Sequence, residues 1–96
     1  MYVLIAYDVS TMTAAGKKRL RHVAKACLDY GQRVQNSVFE CKVDPAQLVE
    51  LRGRLTRIMK ESEDSIRIYN LGSNWQRRVV HLGTKQPFDI EGTLLV

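Results

Sequence analysis

The sequence predicts a single α+β domain in which two helices cover one face of an antiparallel β-sheet. Short β-rich segments flank two longer segments in which apolar residues recur at three- and four-residue steps. The composition, 45% hydrophobic and 26% charged, is that of an ordinary globular protein. A chain of 96 residues has room for one small core, and no repeat or linker divides it, so one domain is expected over residues 1–96.

The first half of the chain predicts a strand, a helix and then a further strand or hairpin. Tyr2–Val9 is short, apolar and β-rich, as in a buried strand. An amphipathic pattern over 14–30 predicts a helix, with Gly31 expected to end it. From Arg33 to Val43 the period changes to two. Gln35-Asn36 is compatible with a tight turn, so this segment is either one bent strand or a hairpin.

A second helix is predicted to begin at Asp44-Pro45. Asp44 suits the N-cap, Pro45 the first helical position and Gln47 the reciprocal position of a capping box. The buried stripe of this helix is expected to consist of Leu48, Leu51, Leu55 and Ile58.

Three more strands are predicted after the second helix. They span Ser65–Leu71, Arg78–Leu82 and Thr93–Val96, with glycine-containing breaks between them. The resulting order, β-α-β-(β)-α-β, is typical of a ferredoxin-like split βαβ sandwich.

A sheet of this kind leaves one face uncovered. We expect Val3, Ile5, Tyr7 and Tyr69 to lie on that open face. Since no third layer fits in 96 residues, a second copy is the simplest cover, which predicts a homodimer built sheet to sheet. Late strands near Val79 and Leu94 are expected to pair with the partner's sheet edge.

The net charge favours a polyanionic partner. Fifteen Lys and Arg against ten Asp and Glu give a formal charge of +5, and neutralising phosphates with such groups releases counterions. Solvated helix faces are the alternative explanation of the same pattern. The basic clusters are Lys17, Lys18, Arg19, Arg21 and Lys25; Arg52, Arg54, Arg57 and Lys60; and Arg77 and Arg78.

The cysteines and the apolar pattern exclude several classes of protein. Cys27 and Cys41 stand singly in apolar stretches, which argues against a zinc finger or a disulfide scaffold and fits a reducing cytoplasm. There is no run of about 18 apolar residues, and no basic leader precedes Tyr2. We therefore expect a cytoplasmic protein that does not interact with a membrane.

Asp8 is the candidate functional residue. A carboxylate at the end of an apolar strand can cap a helix, accept hydrogen bonds at the strand end or bind a metal. A two-fold axis would bring two Asp8 side chains together, and Mg²⁺ needs only one or two carboxylates besides water. The other candidates are weaker. His22 is expected at the surface and His81 in a structural role. Trp75 is expected either to stack on a base or a sugar or to cover the dimer seam, of which the seam is favoured.

Several segments resemble a known family. Tyr7-Asp8-Val9-Ser10, Lys18-Arg19-Leu20 and the run from Tyr30 to Glu40 resemble the CRISPR-associated Cas2 family. The helix start at Val43–Gln47 and the segment Phe88–Val96 are most similar to versions from subtype I-C systems. The resemblance covers essentially the whole chain.

The resemblance implies a ferredoxin-like homodimer that binds duplex DNA together with the Cas1 integrase during spacer acquisition. It also implies a metal-dependent endonuclease acting on single-stranded RNA or duplex DNA. Asp8 would then be both the catalytic residue and the ligand of one Mg²⁺ ion shared by the dimer. Tyr7, Arg19, Arg33 and Phe39 are motif positions around it, and Arg33 joins the residues expected to bind nucleic acid, namely Lys17, Lys18, Arg19, Arg21, Arg77 and Arg78.

In one respect the chain departs from the family pattern. Many members carry further acidic residues after the strand-end aspartate, whereas Ser10-Thr11-Met12-Thr13 follows here. A single carboxylate per chain favours a scaffold as the biological role. The alternative outside this family is a non-catalytic nucleic-acid-binding module of the same fold, which would display aromatic residues on its open sheet.

Overall fold

The computed structural model describes residues 1–83, in which four strands and three helices form. The strands are β1 (Tyr2–Asp8), β2 (Gly31–Gln35), β3 (Val38–Lys42) and β4 (Ser65–Gly72), and the helices are α1 (Ala14–Leu28), α2 (Pro45–Ile58) and the short α3 (Trp75–Arg78). The strand predicted at 93–96 lies outside the described residues. Across the described part of the chain, no helix combines the length and apolarity needed to cross a membrane.

The sheet has the strand order β2-β3-β1-β4, and all neighbouring strands are antiparallel. Each βαβ connection therefore skips over one strand: β3 lies between β1 and β2, and β1 lies between β3 and β4. This is the split βαβ arrangement of the ferredoxin-like fold, which confirms the predicted fold class. The segment 33–43 is a hairpin, the second of the two predicted alternatives.

The start of α1 is fixed by a cap and by a close backbone contact. The Thr13 hydroxyl accepts a hydrogen bond from the Gly16 backbone N–H at 3.0 Å, as is typical of an N-cap. Gly16 lies so close to the loop after β1 that a Cβ atom there would be 1.8 Å from the Ser10 carbonyl oxygen. The loop that follows Asp8 is therefore held directly against the first turn of α1.

The end of α1 differs from the prediction. The helix ends at Leu28 rather than Tyr30, and Gly31 does not end it by adopting a left-handed conformation. Gly31 instead begins β2, where a Cβ atom would lie 1.9 Å from the Glu40 carbonyl oxygen. The glycine is needed because β2 and β3 approach closely at this point, a contact that no local sequence pattern reveals.

The helix α2 forms as predicted. Asp44 accepts from the Gln47 backbone N–H at 2.7 Å, and the Gln47 side chain accepts from the Asp44 N–H at 3.0 Å. Both halves of the capping box are thus present, with Pro45 at the first helical position. Leu51 and Leu55 are buried, and the two ends of the predicted stripe, Leu48 and Ile58, are half-buried.

The large apolar side chains of β1 face the helices, so the prediction that they lie on the open face was wrong. Val3, Ile5 and Tyr7 are at most 2% exposed and belong to the main core cluster. A two-residue period predicts two different faces but not which of them meets the helices. The cluster also contains Val23, Ala24, Cys27, Phe39, Cys41, Leu51 and Leu55.

The opposite face of the sheet carries smaller and more polar side chains. Leu4 and Ala6 are half-buried there, and Tyr69 is 44% exposed, in agreement with its predicted place on the open face. Trp75 stacks on Tyr2 with ring centroids 4.4 Å apart, so within one chain Trp75 covers one end of this face. Its role at a dimer seam remains a prediction.

The strand predicted at Arg78–Leu82 does not form in residues 1–83. Arg78 ends α3, and the following residues have no regular secondary structure. A strand needs a neighbouring strand for its backbone hydrogen bonds. Within residues 1–83, no strand of the sheet pairs with this segment. Val80 and Leu82 are left 79% and 87% exposed.

The contact at Gly16 leads to a stability prediction. Gly16→Ala should lower the free energy of unfolding by about 1–3 kcal/mol, because overpacking against the Ser10 carbonyl outweighs the helix preference of alanine. Gly53→Ala is the matched control: its Cβ would lie 3.5 Å from Arg57 Nη1, an ordinary contact. That variant should gain about 0.5–1 kcal/mol. Urea unfolding measures both, and equal effects would contradict the close contact at Gly16.

Candidate metal and nucleic-acid site

Asp8 lies at the carboxyl end of β1 and is exposed. Its register partner is Ser65, the first residue of β4, so the two residues form the last pair of that ladder. Within residues 1–83, no side chain forms a hydrogen bond or ion pair with the Asp8 carboxylate. It neither caps α1, whose N-cap is Thr13, nor accepts hydrogen bonds at the strand end. The carboxylate is thus available for an external ligand.

The backbone around Asp8 is held from two other directions. On the β3 side, the Tyr7 N–H donates to the Ser37 carbonyl at 2.9 Å, which joins β1 to the turn of the β2–β3 hairpin. After the strand, the contact between Gly16 and Ser10 fixes the loop against α1. Three local structures therefore meet at this end of the sheet.

A buried carboxylate that was not predicted from the sequence, Asp64, directly precedes Ser65, the register partner of Asp8. Asp64 precedes β4, and its side chain has no exposed surface. Its Oδ2 accepts from the Tyr7 hydroxyl at 2.5 Å, from Arg19 Nε at 2.8 Å and from the Lys60 N–H at 3.0 Å. Its Oδ1 accepts from Arg19 at 3.2 Å. The acidic run in which Asp64 stands looks like a solvated loop in the sequence, because its partners are distant along the chain.

Burial and hydrogen bonding shift the pKa values of Asp64 and Tyr7. Burial alone would raise the pKa of Asp64, but the hydrogen bonds from Arg19, the Lys60 N–H and Tyr7 outweigh it and hold that pKa below its usual value. Burial, together with the hydrogen bond to Asp64, raises the pKa of Tyr7 to about 12. Tyr7 therefore remains protonated and Asp64 ionised near neutral pH, which keeps the donor and acceptor roles fixed.

Most of the residues of α1 that are predicted to bind nucleic acid are exposed to solvent, but Arg19 is paired with Asp64. Lys17, Lys18 and Arg21 are exposed on α1. The Arg19 side chain is only 16% exposed and pairs with Asp64, and it also reaches Glu63 at 3.3 Å. Since α1 begins directly after the loop that follows Asp8, Lys17 and Lys18 lie at the same end of the sheet as Asp8.

Arg33 also lies near this end of the sheet. Its Nε donates to the Asn36 carbonyl in the hairpin turn at 2.9 Å, and its guanidinium lies 5.4 Å from the Phe39 ring centroid. The strand β2 is two strand spacings from β1, a lateral distance of about 10 Å. Arg33 is exposed, so it can meet phosphate while stabilising the turn.

Arg77 and Arg78 are separated from Asp8 within one chain. They lie on α3, which follows β4, and β4 runs antiparallel to β1. The end of β4 is therefore at the Tyr2 end of the sheet, opposite to Asp8. Within a single chain, the residues predicted to bind nucleic acid are therefore divided between two ends of the sheet.

The remaining candidates do not contribute to this site. His22 is exposed on α1, as predicted, and His81 is exposed in the segment after α3. Cys27 and Cys41 are both buried in the core, where the Cys41 thiol donates to the Cys27 carbonyl at 3.5 Å. Hydrogen bonding with Cys41 and burial raise the pKa of the Cys27 thiol far above its ordinary value, which makes it a packing residue rather than a nucleophile.

The fit of a metal ion depends on a second copy. Within residues 1–83, no group of three or more His, Cys, Asp or Glu side chains is placed to hold a metal. An exposed carboxylate on an ordered strand end is nevertheless a suitable hard ligand for Mg²⁺, which binds through one or two carboxylates and retains several waters. The residues of one chain therefore provide half of such a site.

Comparisons with known proteins agree on one family. Residues 1–79 match the family described as CRISPR associated protein Cas2. A CRISPR-associated endoribonuclease Cas2 of Chlorobaculum tepidum is 60% identical over 96 residues, covering 100% of both chains. A CRISPR-associated endonuclease Cas2 of Halalkalibacterium halodurans is 56% identical over 95 residues, covering 99% of both. The crystal structure of Streptococcus pyogenes Cas2 at pH 6.5 superposes with a TM-score of 0.81 and 67% identity, over 86% of this chain and 100% of that one.

The buried carboxylate leads to a prediction about pH. Asp64→Asn should lower the free energy of unfolding by about 1–3 kcal/mol near neutral pH, because buried donors lose a charged acceptor. Since the folded-state pKa of Asp64 is depressed, its stabilisation is complete above the unfolded value of about 3.9 and is lost as pH falls through the folded value. Urea unfolding should therefore show a constant gap between wild type and variant above about pH 5 and a shrinking gap below about pH 4. A gap that does not change in acid would contradict this.

Proposed function

The chain belongs to the CRISPR-associated Cas2 family, and from that premise we propose that it is a Mg²⁺-dependent endonuclease and a homodimeric scaffold for spacer acquisition. In the second role it binds duplex DNA together with the Cas1 integrase. The observation that carries the proposal is the exposed, unpartnered Asp8 carboxylate on an ordered strand end, with Lys17 and Lys18 at the same end of the sheet. The similar proteins named endoribonuclease make single-stranded RNA the first substrate to test.

The homodimer is supported by the uncovered surface of the single chain. Leu4 and Ala6 are only half-buried on the open face of the sheet, next to the exposed Tyr69 ring. The segment after α3 adds Val80 and Leu82, both largely exposed. Exposed apolar side chains of this kind mark an interaction site, and a two-fold axis that brings the open sheet faces together would cover those on the sheet.

The metal site follows from the same symmetry. Two Asp8 carboxylates, one from each copy, would hold one Mg²⁺ ion with water completing its shell. When bound, the ion supplies positive charge that polarises a phosphodiester. The chain's own residues keep the Asp8 strand end ordered and bring positive charge to the nucleic-acid backbone. With one carboxylate per chain, cleavage is the subsidiary activity and the scaffold is the biological role.

The nucleic-acid interface is expected to contact phosphates rather than bases. Lys17, Lys18, Arg21 and Lys25 extend along one exposed stretch of α1, and a rise of about 1.5 Å per residue spreads them over roughly 12 Å. That span suits several successive phosphates of a duplex. Point charges on flexible side chains position a backbone but do not read a sequence.

Asp8→Asn tests the metal site. The amide is nearly isosteric but carries no charge to hold a hard cation, so Mg²⁺-dependent cleavage of single-stranded RNA should be abolished. Removing two nearby like charges should leave the dimer intact or slightly more stable. Light scattering of wild type and variant should give twice the 11.0 kDa chain mass. Cleavage retained by the variant would refute the metal assignment, and a monomeric wild type would refute the shared site.

The same variant separates the two roles. If the scaffold is the biological role, Asp8→Asn should still bind duplex DNA and the integrase and should support spacer acquisition in cells. Loss of both cleavage and acquisition, with dimer and DNA binding preserved, would make the nuclease the biological function. DNA binding without any cleavage by the wild-type protein would favour the non-catalytic module.

The phosphate interface predicts a strong salt dependence. Duplex affinity should fall steeply between about 50 and 200 mM salt, and the double variant Lys17→Ala, Lys18→Ala should reduce the slope of log K against log salt by about 2. Arg54→Gln is a control, because that guanidinium is already paired with Asp29 at 2.8 Å, and its slope should equal that of wild type. Fluorescence anisotropy with duplexes of unrelated sequence measures both. Preference for one sequence would contradict an interface made of phosphate contacts.

A further inference from the structure

The side chain of Asp64 and its hydrogen-bond partners connect elements that are far apart along the chain. Asp64 contacts Tyr7 of β1, 57 residues away, and Arg19 of α1, 45 residues away. It also closes the connection between α2 and β4, because it accepts from the Lys60 N–H while its own N–H donates to the Lys60 carbonyl at 2.7 Å. One side chain therefore ties together three segments of the fold.

These contacts lie next to the candidate metal ligand on both strands. Tyr7 directly precedes Asp8 on β1, and Asp64 directly precedes Ser65, the residue that pairs with Asp8. The Tyr7 side chain points into the core while Asp8 points away from it, as strand alternation requires. The last pair of a ladder has no further pair to hold it, so its order depends on such anchors.

From this geometry we propose that Asp64 is a positioning residue for Asp8. Through Tyr7 and Arg19 it fixes the ends of β1 and β4, and thereby the place at which the Asp8 carboxylate is presented. The inference rests on the proposed metal role of Asp8. A cation shared by two copies needs both carboxylates at a defined separation, which a frayed strand end cannot provide.

The polar nature of the cluster supports this role. A buried ion pair is rarely the most stable filling of a core site, since apolar side chains of similar volume often do as well or better. Here Asp64 and Arg19 use directional bonds, and Arg19 contributes two nitrogens to one carboxylate. Directional bonds fix orientation at the strand end in a way that apolar packing does not.

A metal titration tests the proposal with a matched control. The variants are Asp64→Asn and Asp29→Asn, each of which removes one negative charge from an ion pair of 2.8 Å. Asp29 follows the end of α1, about 21 Å along the helix from its start, and is remote from Asp8. Binding of Mn²⁺ alone is measured by electron paramagnetic resonance at a temperature at which circular dichroism shows each variant folded.

Asp64→Asn should weaken Mn²⁺ binding by roughly tenfold, the usual scale for residues that orient a ligand. For cleavage of single-stranded RNA it should lower kcat by a similar factor of about ten and leave KM within about twofold, because the basic surface is unchanged. Asp29→Asn should behave as wild type in both assays. If Asp64→Asn does not fold, Tyr7→Phe, which removes only the hydroxyl donor, should show a smaller change in the same direction.

The outcomes separate this inference from the function on which it rests. Wild-type Mn²⁺ affinity in folded Asp64→Asn or in Tyr7→Phe would overturn the positioning role. Equal weakening by Asp29→Asn would also overturn it, since the effect would then be one of general stability. Asp8→Asn in the same titration reports on the metal site itself: if its Mn²⁺ affinity equals that of wild type, the proposed function fails, whatever Asp64 does.

Discussion

The ion pair between Asp64 and Arg19 is the interaction that holds together the end of the sheet at which Asp8 lies. It is formed by a carboxylate with no exposed surface and a guanidinium that is mostly covered. Bringing such charges out of water is costly unless every oxygen finds a donor. The Tyr7 hydroxyl and the Lys60 N–H supply the remaining donors, which is why the two strands, α1 and the turn after α2 can meet at this point.

The direction of the strands decides which charges can cooperate. Because β1 and β4 are antiparallel, the end of β1 lies beside the beginning of β4, and α3 is carried to the opposite end. Lys17, Lys18 and Arg33 therefore share an end with Asp8, whereas Arg77 and Arg78 do not. A long polyanion would have to cross the sheet, or a second copy, to meet both groups.

Close backbone contacts, rather than flexible turns, explain two of the glycines. Gly16 and Gly31 both lie where a Cβ atom would overlap a carbonyl oxygen, and neither has a positive φ. The missing side chain of Gly16 allows the loop after Asp8 to pack closely against α1, and that of Gly31 allows β2 to approach β3. The first contact acts on the end of the sheet that carries Asp8, whereas Gly31 pairs with Cys41, the partner of Val3, and so lies toward the opposite end.

Features that depend on neighbours along the chain could be predicted from the sequence. The strand at Tyr2, the capping box of Asp44 and Gln47, and the exposed strand-end carboxylate at Asp8 all follow from patterns within a few residues. Which face of β1 packs against the helices could not be predicted, because a two-residue period is symmetric between the two faces. Asp64 became evident only in the fold, since its partners are 45 and 57 residues away, and Arg19 proved to be a half-buried partner of that carboxylate rather than a free surface charge. A charge can be buried only where partners meet it in space, and those partners stand at unrelated positions in the sequence.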